Sequence, residues 1–273
     1  MSEGSIGLLV SDIDGTIVRH DKSLAPATIG AVERLRAAGV PTTLISARPP
    51  SGILPIAKAL GLDGPVAAFN GGTLIAADGS VSEAHRMPEH VARDVLAMGL
   101  DAGVDPWMFA DGRWMILNPD NAHVDREKKS SAQEPVVVDD LAPWLYRTDK
   151  LVLVSDDAPK LHALAERSAH HRDRATVAQS QTYYLDVTAL EGNKGSGIEA
   201  LARAYGVPLD RVAAIGDMPN DLPMLTRAGI AIAMGQAPDA VKQAAHDVTT
   251  SNEEDGVAHA IDTLLLPRVG QRA

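Results

Sequence analysis

The 273-residue chain contains no cysteine. That absence removes disulfide frameworks, thiol nucleophiles and every cysteine-ligated zinc or iron–sulfur site at once, and it accords with a reducing compartment. Aromatic residues are scarce at 3%, so Ala, Val, Leu and Ile must fill most of the interior. Basic residues are outnumbered, 25 against 36 acidic, for a formal charge of −11. Phosphate backbones and anionic bilayers recruit clustered Lys and Arg, so neither nucleic acid nor a membrane is an expected partner. Long apolar runs are missing too. Nothing approaches the ~18 residues of a spanning helix, and Met1 to Gly7 lack the basic and apolar regions of a secretory leader. A cytoplasmic, soluble protein is the expectation. The nine histidines include the adjacent His170-His171 but no pair at i, i+4, so they read as surface residues rather than metal ligands.

What is present is ordinary in bulk, with 45% hydrophobic and 22% charged residues. The length suits one large domain or two modest ones at ~150 residues each. Such a chain can bury a core without a covalent staple. Residues 6–10 form a short apolar run that reads as a buried strand closing on Asp and Gly. Residues 28–38 follow Pro26 with helical spacing and stop at Gly39. A strand is expected at 40–45, a helix at 53–60 and a third strand at 65–69. This alternation indicates a parallel sheet covered on both faces.

After Asn70-Gly71-Gly72 the rhythm changes. Hairpins are expected about Asp78-Gly79 and Asp111-Gly112, with β-like runs at 150–154, 176–178 and 183–187 and helices near 91–100 and 160–170. Most aromatics fall here and read mainly as core. The alternation resumes with helices at 196–205, 222–227, 239–245 and 257–266 and strands at 212–215 and 230–233. The fold class is therefore α/β. A Rossmann-like parallel-sheet core with helices on both faces spans residues 1–84 and 189–273, and an inserted α+β cap domain spans 85–188.

Chemistry concentrates at strand ends, where open α/β sheets bind ligands. Asp12-Ile13-Asp14-Gly15-Thr16 ends the first strand. Two carboxylates there can divide labour between attack or metal binding and proton transfer, although an Asx-turn explains a bare Asp-x-Asp-Gly as well. Gly216-Asp217-Met218-Pro219-Asn220-Asp221 ends a later strand. Its oxygen-rich side chains suit Mg²⁺, or equally the capping of a helix N-terminus. Ser46 follows the second strand and Lys194 precedes the 196–205 helix, both placed to hold an anion or to serve as cap and surface group. Arg48 reads as structural rather than catalytic.

The ordered set Asp12-x-Asp14-Gly15-Thr16, Ser46, Lys194 and Gly216-Asp217-x-x-Asn220-Asp221 resembles the four motifs of the haloacid dehalogenase-like phosphohydrolases. The long insertion, Asn70-Gly71-Gly72 before a hairpin, and Ala233-Met234-Gly235-Gln236-Ala237 are similar to the Cof-type branch, subclass IIB. Met218-Pro219 inside the acidic loop and a Trp-rich cap depart from that pattern. The resemblance implies Asp12 as a nucleophile forming an aspartyl-phosphate, and Asp14 as acid and then base. It further implies Mg²⁺ on Asp12, the Asp14 carbonyl and Asp217, with Ser46 and Lys194 holding the phosphoryl group. The expected activity is phosphatase action on a small phosphorylated metabolite, such as a sugar phosphate. A sugar phosphomutase and a receiver-like phospho-aspartate signalling module are the alternatives.

Overall fold

A computed structural model describes residues 5–270. The start of the Met1–Gly7 stretch, in which no leader is expected, lies outside the described residues. The first strand, β1 (Leu8–Ser11), is buried at every position, because helices cover both faces of its sheet. After it, α1 (Pro26–Ala37) opens with a proline in its first turn, where the missing N–H has no intrahelical partner to lose. The chain then turns through Gly39 at φ +85°. Next come β2 (Thr42–Leu44), α2 (Pro50–Ala59), β3 (Val66–Ala68), β4 (Thr73–Ile75) and β5 (Val81–Ala84). The expected third parallel strand is only partly one. β3 meets the parallel sheet through a single bridge, Ala67 to Ile45, and otherwise pairs antiparallel with β4, which pairs with β5.

The inserted stretch contributes α3 (Glu89–Asp101), β6 (Asp105–Ala110), β7 (Arg113–Ile116), α4 (Val124–Ser131), β8 (Val136–Val137), β9 (Thr148–Val154), α5 (Ala158–Arg167), β10 (Ala175–Gln181) and β11 (Tyr184–Ala189). Its sheet runs in the order β10-β11-β9-β6-β7-β8. The β6–β7 hairpin turns through Asp111 and Gly112, at φ 51° and 72°, the left-handed pair that a tight two-residue turn requires. Side chains alternate faces with period two. Met108, Leu151 and Leu153 pack with Val91 and Val95 of α3 and Leu161 and Leu164 of α5. Trp107, Phe109, Val152 and Val154 point the other way and join the hydrophobic cluster of the parallel-sheet layer. The second sheet therefore wears α3 and α5 on its outer face.

The chain returns through α6 (Lys194–Tyr205), β12 (Val212–Gly216), α7 (Leu222–Leu225), β13 (Ile230–Ala233), α8 (Asp239–Ala244), β14 (Asp247–Val248) and α9 (Gly256–Ala260). The expected 257–266 helix is α-helical only through α9, then widens into a π-helical turn over Ile261–Leu265. The parallel sheet has the order β14-β13-β12-β1-β2. The chain winds one way from β1 to β2 and the other way from β12, so a crevice opens beyond the carboxyl ends of β1 and β12. Register places Ser11 beside both Ile215 and Leu44. The loops that follow β1, β2 and β12 thus leave the sheet at one edge.

Helix α4 has no apolar stripe to announce it in the sequence. Its buried residues are Val124, Glu127, Ser130 and Ser131, and it packs on α2 by backbone approach. A Cβ on Gly52 would stand 2.2 Å from the Ser130 carbonyl oxygen, and Ser51 Oγ donates to Ser131 O at 2.6 Å. Nearby, Lys150 Nζ of β9 donates to Ala47 O at 3.0 Å. These contacts fasten the second layer to α2 and to the loop after β2. No helix among the described residues is long and apolar enough to cross a membrane.

Candidate active site

The loop after β1 is held to its neighbour by Asp12 N–H, which donates to Ile215 O at 3.0 Å. Gly15 follows at φ +83°, and a Cβ there would fall 2.4 Å from Asp217 Oδ2. Only glycine lets this turn lie against the second acidic loop. Thr16 Oγ1 donates to Asp217 Oδ1 at 3.2 Å and ties the two loops together. Across the crevice, Asn193 caps α6 by accepting from Ser196 N–H at 3.0 Å, which sets Lys194 on the first turn. The Lys194 ammonium, 2% exposed, donates to both Asp12 and Asp221. The other Asp221 oxygen accepts from the N–H groups of Asp217 (2.8 Å) and Met218 (2.9 Å). Asp221 is thereby committed to the loop and to Lys194, while Asp217 makes no ion pair among the described residues.

Asp12, Asp217 and Asp221 each place an oxygen within 4.8 Å of the other two, and all three are buried. Burial raises the Asp12 carboxyl above its ordinary range. Lys194 opposes that rise, and Asp221 and Asp14 add to it. Burial also raises Asp217, helped by Asp12 and Asp221. For Lys194 burial works downward, but the two carboxylates prevail and keep it charged. Three buried acids around one ammonium make an all-oxygen donor set still short of positive charge. That chemistry fits a hard divalent cation such as Mg²⁺.

Asp14 stands apart from that group. Arg48 grips it bidentately, Nε to Oδ2 and Nη2 to Oδ1, each at 2.7 Å, and Lys22 Nζ adds a 2.5 Å bond to Oδ1. Burial would raise this carboxyl, yet Arg48 and Lys22 outweigh it and hold it well below the usual carboxylate range. Arg48, read from its sequence position as structural, holds the Asp14 carboxylate and lines the cavity beside it. Ser46, also buried, receives a 3.3 Å bond from Arg48 N–H on its Oγ.

Asp12, Asp14, Ser46 and Asn220 line one cavity together with Lys22, Arg48 and residues of the second layer. Its opposite wall includes Arg126, Glu127, Lys150, Tyr183 and Tyr184. Lys194, Asp217 and Asp221 adjoin Asp12, so all seven expected site residues gather at one sheet edge. Residues 9–261 match the haloacid dehalogenase-like hydrolase family.

The chain is a haloacid dehalogenase-like hydrolase. This hydrolase is 28% identical to the pyridoxal phosphate phosphatase of Escherichia coli, over 95% of its own length and 98% of the relative's. It is 29% identical to a 5-amino-6-(5-phospho-D-ribitylamino)uracil phosphatase of Bacillus subtilis, covering 92% and 94% of the two chains. Its fold superposes on a haloacid dehalogenase-like hydrolase from Bacteroides thetaiotaomicron with a TM-score of 0.83 at 27% identity, covering 94% and 99%. A subclass IIB sugar phosphatase shares the fold at a TM-score of 0.79 and 23% identity. The residues of the hydrolase missed in the sequence are Lys22, Glu127 and Lys150, besides Arg48. Lys22 and Arg48 lie within a few residues of motif positions, a usable signal. Glu127 and Lys150 come from the inserted stretch, where no local pattern marks them.

Proposed function

We propose that this hydrolase is a Mg²⁺-dependent phosphatase of a small sugar phosphate, acting through an aspartyl-phosphate on Asp12. In this reading residues 1–84 and 189–273 are the catalytic core, 85–188 the cap, and the protein works in the cytoplasm. The observation that carries the reaction is Asp12, ionisable and bonded to Lys194, facing a cavity rimmed by Ser46, Arg48 and Lys22. An Asp12 oxygen attacks phosphorus and the bond to the leaving oxygen breaks. Asp14 protonates that oxygen. Asp14 then takes a proton from the water that attacks phosphorus of the acyl phosphate, releasing inorganic phosphate and restoring Asp12.

Mg²⁺ on Asp12, Asp217 and the Asp14 carbonyl would supply the positive charge that lets a carboxylate approach a phosphate dianion. Lys194 and Ser46 hold the phosphoryl oxygens. Asp14 as gripped by Arg48 and Lys22 is ionised and suited to the base step. Its acid step requires both cations to loosen so that the carboxylate takes up a proton from solvent before passing it to the leaving oxygen, and an arriving phosphoryl dianion is a competing anion for each.

The cavity wall supports the sugar. Glu127 is 7% exposed, and although its main chain is hydrogen-bonded to His123 and Ser131, its carboxylate has no hydrogen-bond partner among the described residues. The hydroxyls of Tyr183 and Tyr184 and the Asn220 amide oxygen are also unpaired. Buried polar groups want partners, and a polyhydroxylated leaving group offers several at once.

Phosphate release from pentose, hexose and pyridoxal phosphates and from p-nitrophenyl phosphate tests the reading. A sugar phosphate should lead, and Glu127→Ala should raise its KM while leaving the KM for p-nitrophenyl phosphate unchanged. Pyridoxal phosphate as the best substrate overturns the sugar assignment. Isomerised sugar phosphate without phosphate release overturns hydrolysis.

A further inference from the structure

On the outer face of the second sheet, away from the cavity, lies a group of side chains the phosphatase reading does not use. His171 was expected at the surface, yet it is 2% exposed and neither ring nitrogen has a hydrogen-bond partner. An unsatisfied buried polar group is costly, so such an imidazole calls for a partner of another kind. Its Nε2 stands 3.4 Å from Asp94 Oδ2 of α3, close but misaligned for a hydrogen bond. His170 lies against it, ring centroids 3.8 Å apart and planes tilted by 43°. The His170 Nδ1 is 2.7 Å from the Arg167 carbonyl oxygen. A carbonyl only accepts, so Nδ1 carries the proton and Nε2 is left with a free lone pair. Metal-binding histidines are oriented in this way by their second nitrogen.

Asp94, His170 and His171 each place a possible ligand atom within 4.8 Å of the other two. We propose that these three residues form a second metal site, taking a borderline divalent ion such as Zn²⁺. The donor set of two imidazoles and one carboxylate suits Zn²⁺, whereas Mg²⁺ prefers an all-oxygen shell and dehydrates reluctantly. Tetrahedral zinc with bonds of ~2.0–2.2 Å keeps its ligand atoms ~3.3–3.6 Å apart. The 3.4 Å between His171 and Asp94 is already of that size. The fourth position is left to water or to His90, one turn before Asp94, whose ring centroid is 6.4 Å from that of His171. His171 forms the floor, while Asp94 and His170 are exposed, so an ion can enter from solvent. Bound there, it would join α3 to the turn Ser168–His171 after α5 and brace the outer helical layer, with the sheet between it and Asp12.

The test compares wild type with the double variant Asp94→Asn/His170→Gln, whose replaced side chains are exposed and carry little folding risk. Zinc titration calorimetry, with Mg²⁺ in excess throughout, should show one more equivalent bound by the wild type. At the second site the variant should bind about tenfold or more weakly. Co²⁺ should give the wild type a visible ligand-field spectrum that the variant lacks, and Zn²⁺ should raise the Tm of the wild type alone. Equal stoichiometry and identical Co²⁺ spectra for the two proteins overturn the proposal. Neither readout uses catalysis, so the result stands apart from the phosphatase assignment.

Discussion

Glu127→Gln keeps the shape of a buried side chain and removes its titration. Burial pushes the Glu127 carboxyl from 4.5 up to about 7, with Asp186 and Asp14 adding to the rise and Lys150 and Arg48 opposing it. Between those values the native protein holds a proton that the unfolded chain has already released. Its stabilising contribution is complete below pH 4.5 and is lost as the pH rises through 7. At about 1.4 kcal/mol per pH unit, that window is worth about 3 kcal/mol. Glutamine does not titrate, so the variant escapes this loss. Urea denaturation of both proteins at pH 5, 6, 7 and 8, at one fixed Mg²⁺ concentration, reads the difference. The stability of the variant relative to wild type should climb by about 2–3 kcal/mol across the series, most steeply near pH 6 and levelling off above pH 7. A difference that stays constant from pH 5 to pH 8 would refute a raised Glu127, and with it the picture of a buried, unpaired carboxyl on the cavity wall.

Asp12→Asn should abolish turnover while leaving the thermal transition intact, because an amide is a far weaker nucleophile; activity within about tenfold of wild type would remove Asp12 from that role. Turnover should stop in excess EDTA, return with Mg²⁺ and be lost in Asp217→Ala, and full activity with metal shown absent would contradict the site. Asp14→Asn should cost on the order of 10²–10⁴ in rate on alkyl phosphates and much less on p-nitrophenyl phosphate, whose leaving group needs little protonation. Equal losses in single-turnover phosphoryl transfer would show that Asp14 is not the acid.

The core and its motif residues were legible because each depends on local grammar. A short apolar strand, a turn that needs Gly15, and Asp or Asn before a helix are all written within a few residues. Both hairpins could be read for the same reason, since Asp111-Gly112 supplies its own left-handed turn. Helix α4 was not legible, because the face it buries is polar and leaves no period for the eye. The third strand was read as a full member of the parallel sheet, yet β3 spends its hydrogen bonds on β4, a choice made by distant pairing. Arg48 looked like scaffold because only the fold brings its guanidinium to Asp14. His171 looked like surface because burial under α3 is a tertiary fact. The resemblance to haloacid dehalogenase-like hydrolases is borne out by the family match.

The cavity has two makers. Asp12, Asp14, Ser46 and Asn220 come from loops of the parallel sheet, whereas Arg126, Glu127, Lys150, Tyr183 and Tyr184 come from the inserted layer. The two halves meet at Lys150 on Ala47 and at the bare Cα of Gly52 against Ser130. Mutations can therefore accumulate on α4 and the β10–β11 turn without disturbing the strands that aim the carboxylates. Such a chain can change its diet while keeping its engine. Gly52 marks the boundary of that freedom, because any side chain there would push the two halves apart whichever substrate they serve.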